Sequence, residues 1–512
     1  MPAGLGWRRP LWDDLGVVTG RDGELPSYDE LAAAVVGLTT RLDELSVRTG
    51  ELEADNVRLV AENEALRAEN AELRRRLGLT SKNSSKPPSS EGLDKPPATS
   101  MRARSGRRPG KQPGSAGTGL SQVPVADEEV DHYPRVCDGC GDGLDPAAGS
   151  VDDPVVRQVF DVPEVRVRVT AHLLHALSCP GCGASTRAVA PVGVSAPAVY
   201  GPTVTMLAAY LAAQHHIPVA RVVEILADLA GIEVSGGWVT TACARMAAAV
   251  EPANEAIKDA IAGADVAHFD ETVTRVAGRN HWLHAAATGR LTAYHIDEHG
   301  RAVASMTAFG ILPRFTGVAV HDAYSGYDAF TTCTHALCNA HILREAAGIG
   351  EYDPHARADG WAEDLVTLLG NAHRWVAHWR DQGHTGLPAF KYDDLSTRYD
   401  DLVTRALTIH PPRPGRQTPA RNLALRLQTR KTEFLRFAAD FTVGFSNNVA
   451  EQAVRMVKSK TRVSGGFRTL KGAQTFLAIR GYISTIRKNG LRAATELRNA
   501  LLDNPWMPST AA

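Results

Sequence analysis

The sequence predicts a multidomain α+β protein. Three observations predict it: a leucine at every seventh position from Leu31 to Leu73, two Cys-x-x-Cys pairs at Cys137/Cys140 and Cys179/Cys182, and a change near Val266 from helical to strand periodicity. At 512 residues the chain is longer than one hydrophobic core serves well, so several units joined by linkers are expected. Hydrophobic residues make up 44% and charged residues 22%, ordinary values for a globular protein. The chain has no apolar run of bilayer length, and Met1 to Val18 lacks the hydrophobic stretch of a signal peptide. A cytoplasmic protein without a membrane partner is therefore expected. The formal net charge is -1, so what matters is where the charges cluster. Seven cysteines in such a chain do not make a disulfide scaffold, and paired thiols in a reducing compartment point to metal.

Residues 27–79 read as a leucine-zipper coiled coil. Leu31, Leu38, Leu45, Leu52, Leu59, Leu66 and Leu73 fall at d, and Val35, Leu42, Thr49, Asn56, Asn63, Asn70 and Leu77 fall at a. Asparagine at a lowers stability but fixes register by pairing across the axis, which favours a parallel dimer. Arg48 with Glu53, Glu62 with Arg67, and Glu69 with Arg74 are attractive g-to-e′ pairs between identical chains. A homodimer or higher oligomer follows, with a helix packed on its own domain as the alternative and Gly50 as the weak spot. Residues 80–125 form a polar, proline-rich segment expected to be a disordered basic linker. Eight Lys or Arg lie between Lys82 and Lys111 against Glu91 and Asp94 alone. That excess suits phosphates, though a solvated linker would look the same.

Residues 126–192 are expected to form a small zinc-binding domain. Cys137, Cys140, Cys179 and Cys182 sit in Gly-containing turns, and four thiolates complete a closed tetrahedral site that organises a fold and leaves no position for catalysis. The alternating residues around Val165 to Val169 suggest a hairpin between the pairs, while unrelated turns or a redox pair are the rival readings. Residues 193–258 read as helical and helix-turn-helix-like, with Val219 to Leu229, a turn at Gly231 and a second helix from about Ser235. Two ordinary packed helices would fit as well.

From residue 259 to 344 the periodicity predicts strands at Val266 to Val273, Trp282 to Ala287 and Leu291 to Ile296, a helix around Ala302 to Phe309, and a strand at Val318 to Val320. Three meander strands, a crossover and a fourth strand match the opening of a ribonuclease H-like α/β core. Residues 345–441 read as an all-helical insertion in which Trp375 and Trp379 are core, and residues 442–505 as the C-terminal part of the core with a basic helix.

In that layout Asp270 on the first strand and Asp322 after the fourth become neighbours. Adjacent carboxylates repel unless a divalent cation bridges them, and hard oxygen ligands suit magnesium or manganese. Glu451, on a helix that Ser446 is placed to cap, is the candidate third ligand. From Gln452 to Gly490 there are nine Lys or Arg and no Asp or Glu. Of these, Arg455, Lys458, Lys460, Arg462 and Arg468 are the candidate contacts to a nucleic-acid backbone.

The sequence resembles the insertion sequence 66 family of bacterial transposases over nearly the whole chain after the first twenty-five residues. The resemblance rests on the zipper running into Asn83-Ser84-Ser85-Lys86-Pro87-Pro88-Ser89, on Arg108-Pro109-Gly110-Lys111-Gln112-Pro113-Gly114, and on the two cysteine knuckles. It also rests on Asp270-Glu271-Thr272, on His321-Asp322-Ala323-Tyr324, and on Asn447-Asn448 leading to Glu451, Arg455 and the Lys460 to Arg468 segment. It implies a DDE-type transposase with catalytic Asp270, Asp322 and Glu451, a two-metal phosphoryl transfer on DNA, and structural zinc. The implied partners are the element's terminal inverted repeats, target DNA and accessory proteins of the same element, with a nucleoid-associated location. Cys338-Asn339-Ala340-His341 followed by Arg344 is similar to the family's Cys-x-x-His motif. Asn339 departs from the aromatic expected there, and Val273 from the proline that commonly follows the first motif. Cys333, His335, Cys338 and His341 read as a buried structural cluster or a second metal site. Two rivals are a non-transposing endonuclease of the same fold and a catalytically silent DNA-binding regulator.

Overall fold

The computed structural model describes residues 27–78, 114, 120–149, 152–162, 165–191, 193–194 and 196–509. Most of the predicted basic linker thus lies outside the described residues. Helix α1 (Tyr28–Gly78) runs without a break through Gly50. Its start is a capping box: the Ser27 backbone N–H donates to Glu30 Oε2 at 2.9 Å, and the Glu30 N–H donates back to Ser27 Oγ at 3.4 Å. Leu45, Leu52, Leu59 and Leu66 on α1 are exposed, so this apolar stripe is not packed on the other described residues.

The cysteine region differs from the expected hairpin. Val165, Val167 and Val169 are exposed and belong to no strand. The only hairpin among the described residues of this region is β1 (Ala176–Ser178) with β2 (Ser185–Arg187), and it brackets the second knuckle, while a lone bridge Val136–Gly143 brackets the first. Alternation alone misleads there, because a strand also needs a partner and a surface to bury one face.

A helical layer comes next: α2 (Pro202–Ala213), α3 (Val219–Ala230), α4 (Gly236–Ala249) and α5 (Glu251–Ala262). Gly231, at φ 59°, ends α3 with Ile232 N–H donating to Leu226 O, a turn that favours glycine. Ser235 Oγ then caps α4 by accepting from Trp238 N–H at 3.1 Å. Val222, Leu226, Ile232, Val239 and Ala242 bury the faces that join the pair to α2.

The central sheet contains β3 (Val266–Val276), β4 (Arg279–Ala287), β5 (Thr292–Ile296), β6 (Val318–His321) and β7 (Thr334–Leu337), with α6 (Val303–Phe309) before β6. Its order is β5-β4-β3-β6-β7. The first three strands pair antiparallel, whereas β6 and β7 add parallel to β3. β7 escapes sequence reading because Thr334 and His335 deny it the apolar run that marks β6. Ile257 and Ile261 of α5 pack on the sheet with Phe269, Leu283 and Ile296.

A second core holds α7 (Asn339–Tyr352), α8 (Pro354–Asp359), α9 (Trp361–Asp381), α10 (Ala389–Ile409), α11 (Pro419–Thr429), α12 (Lys431–Phe434) and α13 (Arg436–Ala439). Trp361 and Tyr399 are fully buried in it, and Trp375 and Trp379 pack at its margin. The chain then returns to the sheet as α14 (Asn448–Ser464), α15 (Leu470–Lys488) and α16 (Ala493–Ala500). Leu477, Ile483 and Ile486 of α15 complete the first core. The turn after α14 hydrogen-bonds to the end of β3, Phe467 N–H to Arg275 O at 2.8 Å. A Cβ at Gly466 would lie 2.8 Å from Arg275 O, so that approach demands glycine. No helix among the described residues is long and apolar enough to cross a membrane.

Candidate active site

β3 and β6 bring the two aspartates level. The parallel pairing joins Val266 to Val318 and His268 to Val320, so Asp270, within β3, and Asp322, just past β6, each lie two residues beyond the last pair of that ladder. Asp322 is the first residue after β6, and its Oδ1 accepts the Tyr324 N–H at 2.9 Å. Burial pushes the Asp270 carboxyl well above the usual range, and the charges of Glu271, Glu451 and Asp322 push it further. Asp322 and Glu451 thus act on a buried third carboxyl, an arrangement that a divalent cation would stabilise.

Glu451 reaches this point on the first turn of α14, where the N-terminal position is favourable for an acid. The expected cap is wrong. Asn447, not Ser446, precedes the helix, and its side chain makes no capping bond. It is buried and used elsewhere: Nδ2 donates to Phe269 O at 2.6 Å, Oδ1 lies 3.1 Å from His268 Nδ1, and the backbone N–H reaches Cys338 Sγ at 3.2 Å. Asn447 thereby ties the start of α14 to β3 beside Asp270 and to the start of α7. A cap would have satisfied α14 alone, whereas the cross-link sets where Glu451 stands.

Around Asp322 lies a network that sequence reading missed. Glu271, on the opposite face of β3 from Asp270, is buried against Arg301, which also approaches Asp322 Oδ2 at 3.4 Å. Tyr327 Oη donates to Glu271 Oε2 at 2.6 Å. The Arg301 guanidinium lies 3.8 Å from the Tyr324 ring centroid and 5.0 Å from that of Trp282. Burial holds the Glu271 carboxyl above its usual range even though Arg301 lowers it. Nothing local in the sequence signals Arg301. His321 is buried between Tyr327, stacked at 4.1 Å, and His335, with ring nitrogens 2.9 Å apart.

Cys338 and His341 stand at the start of α7, and with Glu451 they place three potential ligand atoms within 4.8 Å of one another. Cys333 and His335 are not part of that group. They contact each other and Phe330 O, so the four Cys and His residues do not converge on one point. Asp270 and Asp322 also lie outside the 4.8 Å group. Two ions some 3.5–4 Å apart would draw on a wider ligand shell than that distance spans. Arg344 Nε is buried without a hydrogen-bond partner.

The basic residues divide by role. Glu451, Arg455, Lys458 and Arg462 follow one another at helical spacing on one face of α14, and Arg455 lies 3.3 Å from Glu451. Burial lowers the Lys458 pKa against the pull of Asp270 and Glu451. Arg462 and Arg468 are exposed. Lys460 instead donates to Gly465 O at 2.9 Å and covers the Phe467 ring, and Arg480 is buried against Gln214. Lys488 donates to Thr288 O and Leu291 O, both at 2.8 Å. Counting charge along the strip overstates what is free to meet phosphate.

The two cysteine turns share one geometry. Cys137 N–H donates to Asp142 O and Gly141 N–H to Cys137 O; Cys179 N–H donates to Ala184 O and Gly183 N–H to Cys179 O. Gly141 and Gly183 take φ of 80° and 73°. Backbone N–H groups lower the thiol pKa of Cys137 and Cys179, as a metal ligand requires. The four sulfurs do not meet within 4.8 Å of one another. Each turn forms locally, and joining two turns is work that a metal does on binding.

The model of the Transposase IS66 family matches residues 198–475, more than half of the 512-residue chain. The chain belongs to the IS66 transposase family. Residues 134–183 of this IS66 transposase match the zinc-finger binding domain of transposase IS66, and residues 40–121 match a family of unknown function (DUF6444). No curated protein matches the chain. The family match spans β3 with Asp270, β6 and the Asp322 that follows it, and α14 with Glu451 in this transposase, together with the helical insertion between them.

Proposed function

We propose that the chain binds the ends of its element and catalyses metal-dependent DNA cleavage and strand transfer, with Asp270, Asp322 and Glu451 as the catalytic carboxylates. The observation that carries this is the anchoring of the start of α14, and so of Glu451, by Asn447 to β3 beside the end of the β3–β6 ladder, where Asp270 and Asp322 stand level. The strand order β5-β4-β3-β6-β7 supports a ribonuclease H-like core interrupted by the α7–α13 insertion. The carboxylates would hold two magnesium or manganese ions. Such ions, when bound, activate a water or a DNA 3′-hydroxyl and stabilise the leaving oxygen. Asn447 fixes the start of α14, and Arg455, Lys458, Arg462 and Arg468 guide a phosphate backbone towards Glu451. The test is a strand-transfer assay with element-end DNA, target DNA and magnesium. Joined product is expected, while cleavage without joining would leave a non-transposing endonuclease.

Two further parts of the reading are structural. Cys137, Cys140, Cys179 and Cys182 are assigned to one zinc ion that docks the two knuckles. The exposed leucine stripe of α1 is assigned to a parallel homodimer. A peptide spanning Tyr28 to Leu79 is expected to sediment as a dimer, and Asn56, Asn63 and Asn70 together replaced by Val should stabilise it while loosening its oligomer state. A helical monomer at high concentration would end the zipper assignment.

A further inference from the structure

The strand-transfer reading uses Glu451 but leaves Cys338 and His341 without a task. Cys338 is the residue before α7, His341 lies in the first turn of α7, and Glu451 lies in the first turn of α14, so two helix starts converge. Cys338 Sγ is buried and accepts the Asn447 N–H at 3.2 Å. His341 Nδ1 is buried without a hydrogen-bond partner and lies 3.9 Å from Glu451 Oε1. A buried ring nitrogen left unsatisfied is costly unless something occupies it. All three ligand atoms lie within 4.8 Å of one another.

We infer that Cys338, His341 and Glu451 form a binding site for a borderline-soft divalent transition metal, zinc or cobalt in chemistry, which shares Glu451 with the magnesium site. One thiolate, one imidazole and one carboxylate supply three protein ligands and leave a position open. Magnesium demands hard oxygens and gains little from sulfur, whereas zinc and cobalt favour this donor set. Binding deprotonates the Cys338 thiol, and the proton leaves to solvent as the metal–sulfur bond forms. The ion would draw Glu451 towards Cys338 and away from Asp270, making zinc an antagonist of magnesium at the joining step. That last consequence rests on the strand-transfer reading; the metal site itself does not.

The test is a cobalt(II) titration of the metal-freed, full-length chain, comparing wild type with Cys338→Ser and His341→Ala. Wild type is expected to bind one cobalt more than Cys338→Ser, with the difference spectrum carrying a thiolate-to-cobalt charge-transfer band. The cysteine knuckles are intact in every chain and cancel in that difference. His341→Ala keeps the buried sulfur and removes a half-buried ligand, and it should weaken the additional uptake by at least about tenfold. Equal uptake and equal spectra in wild type and His341→Ala would overturn the site even if Cys338→Ser fails to fold. If the band is present but Glu451→Ala still joins DNA, the catalytic reading fails and the metal site stands. If Glu451→Ala abolishes joining while the band is absent, the reverse holds.

Discussion

Replacing Asp270, Asp322 or Glu451 by Ala is expected to cut strand transfer by roughly a thousandfold or more, the rate equivalent of several kcal/mol of metal-borne stabilisation of the reacting phosphate. On the proposed reading each carboxylate would hold part of one shell, so a double substitution should cost little more than a single one. Binding to end DNA should persist in all three, because the basic face of α14 and the knuckles are untouched. Stability separates this loss from unfolding. Burial and three neighbouring carboxylates hold the Asp270 pKa above its unfolded value, so the folded state gains from a proton there. That gain is present below the unfolded pKa and is lost as pH rises through the folded one. At neutral pH the metal-free Asp270→Asn chain should therefore melt no lower than wild type. Near-normal joining by Glu451→Ala in magnesium would show that the third ligand lies elsewhere.

The second large effect concerns Arg301. Its side chain pairs with Glu271, whose own side chain is only 1% exposed, so Arg301→Ala leaves a buried carboxylate without its counter-charge. Breaking such a pair from one side costs about 3–5 kcal/mol, and a denaturant midpoint measured at neutral pH should register it. The loss should shrink in acid, where Glu271 can take up a proton while Tyr327 still bonds to it. Adding Glu271→Gln should recover much of the stability, since the stranded charge is then gone. A shift below about 1 kcal/mol would place this pair with weak surface ion pairs and refute its buried role.

Much of the architecture was legible because it is written locally. The heptad leucines, the Gly231 and Ser235 signals and the apolar runs at Val266, Trp282 and Val318 each depend on neighbours a few residues away. Alternation failed at Val165 to Val169, which pair with no strand among the described residues, and β7 went unread because Thr334 and His335 leave it no apolar run. Charge counting overstated the basic strip because burial of Arg480 and backbone bonds from Lys460 and Lys488 are invisible in composition.

By itself the sequence determined the order of most elements, the two thiolate turns, and the carboxylates Asp270, Asp322 and Glu451 as candidates, because residue type and short spacing suffice for those. Only the tertiary structure decided how they meet. It made Asn447 a cross-link to β3 instead of leaving Ser446 as a cap, set Arg301 against Glu271, and gathered Cys338 and His341 around Glu451. The physical reason is distance along the chain: Asn447 lies 178 residues from Phe269, and Arg301 lies 30 from Glu271. Contacts over such separations leave no periodic trace in sequence and are chosen by packing of the β3–β6 pair, the helical insertion and α14 against one another.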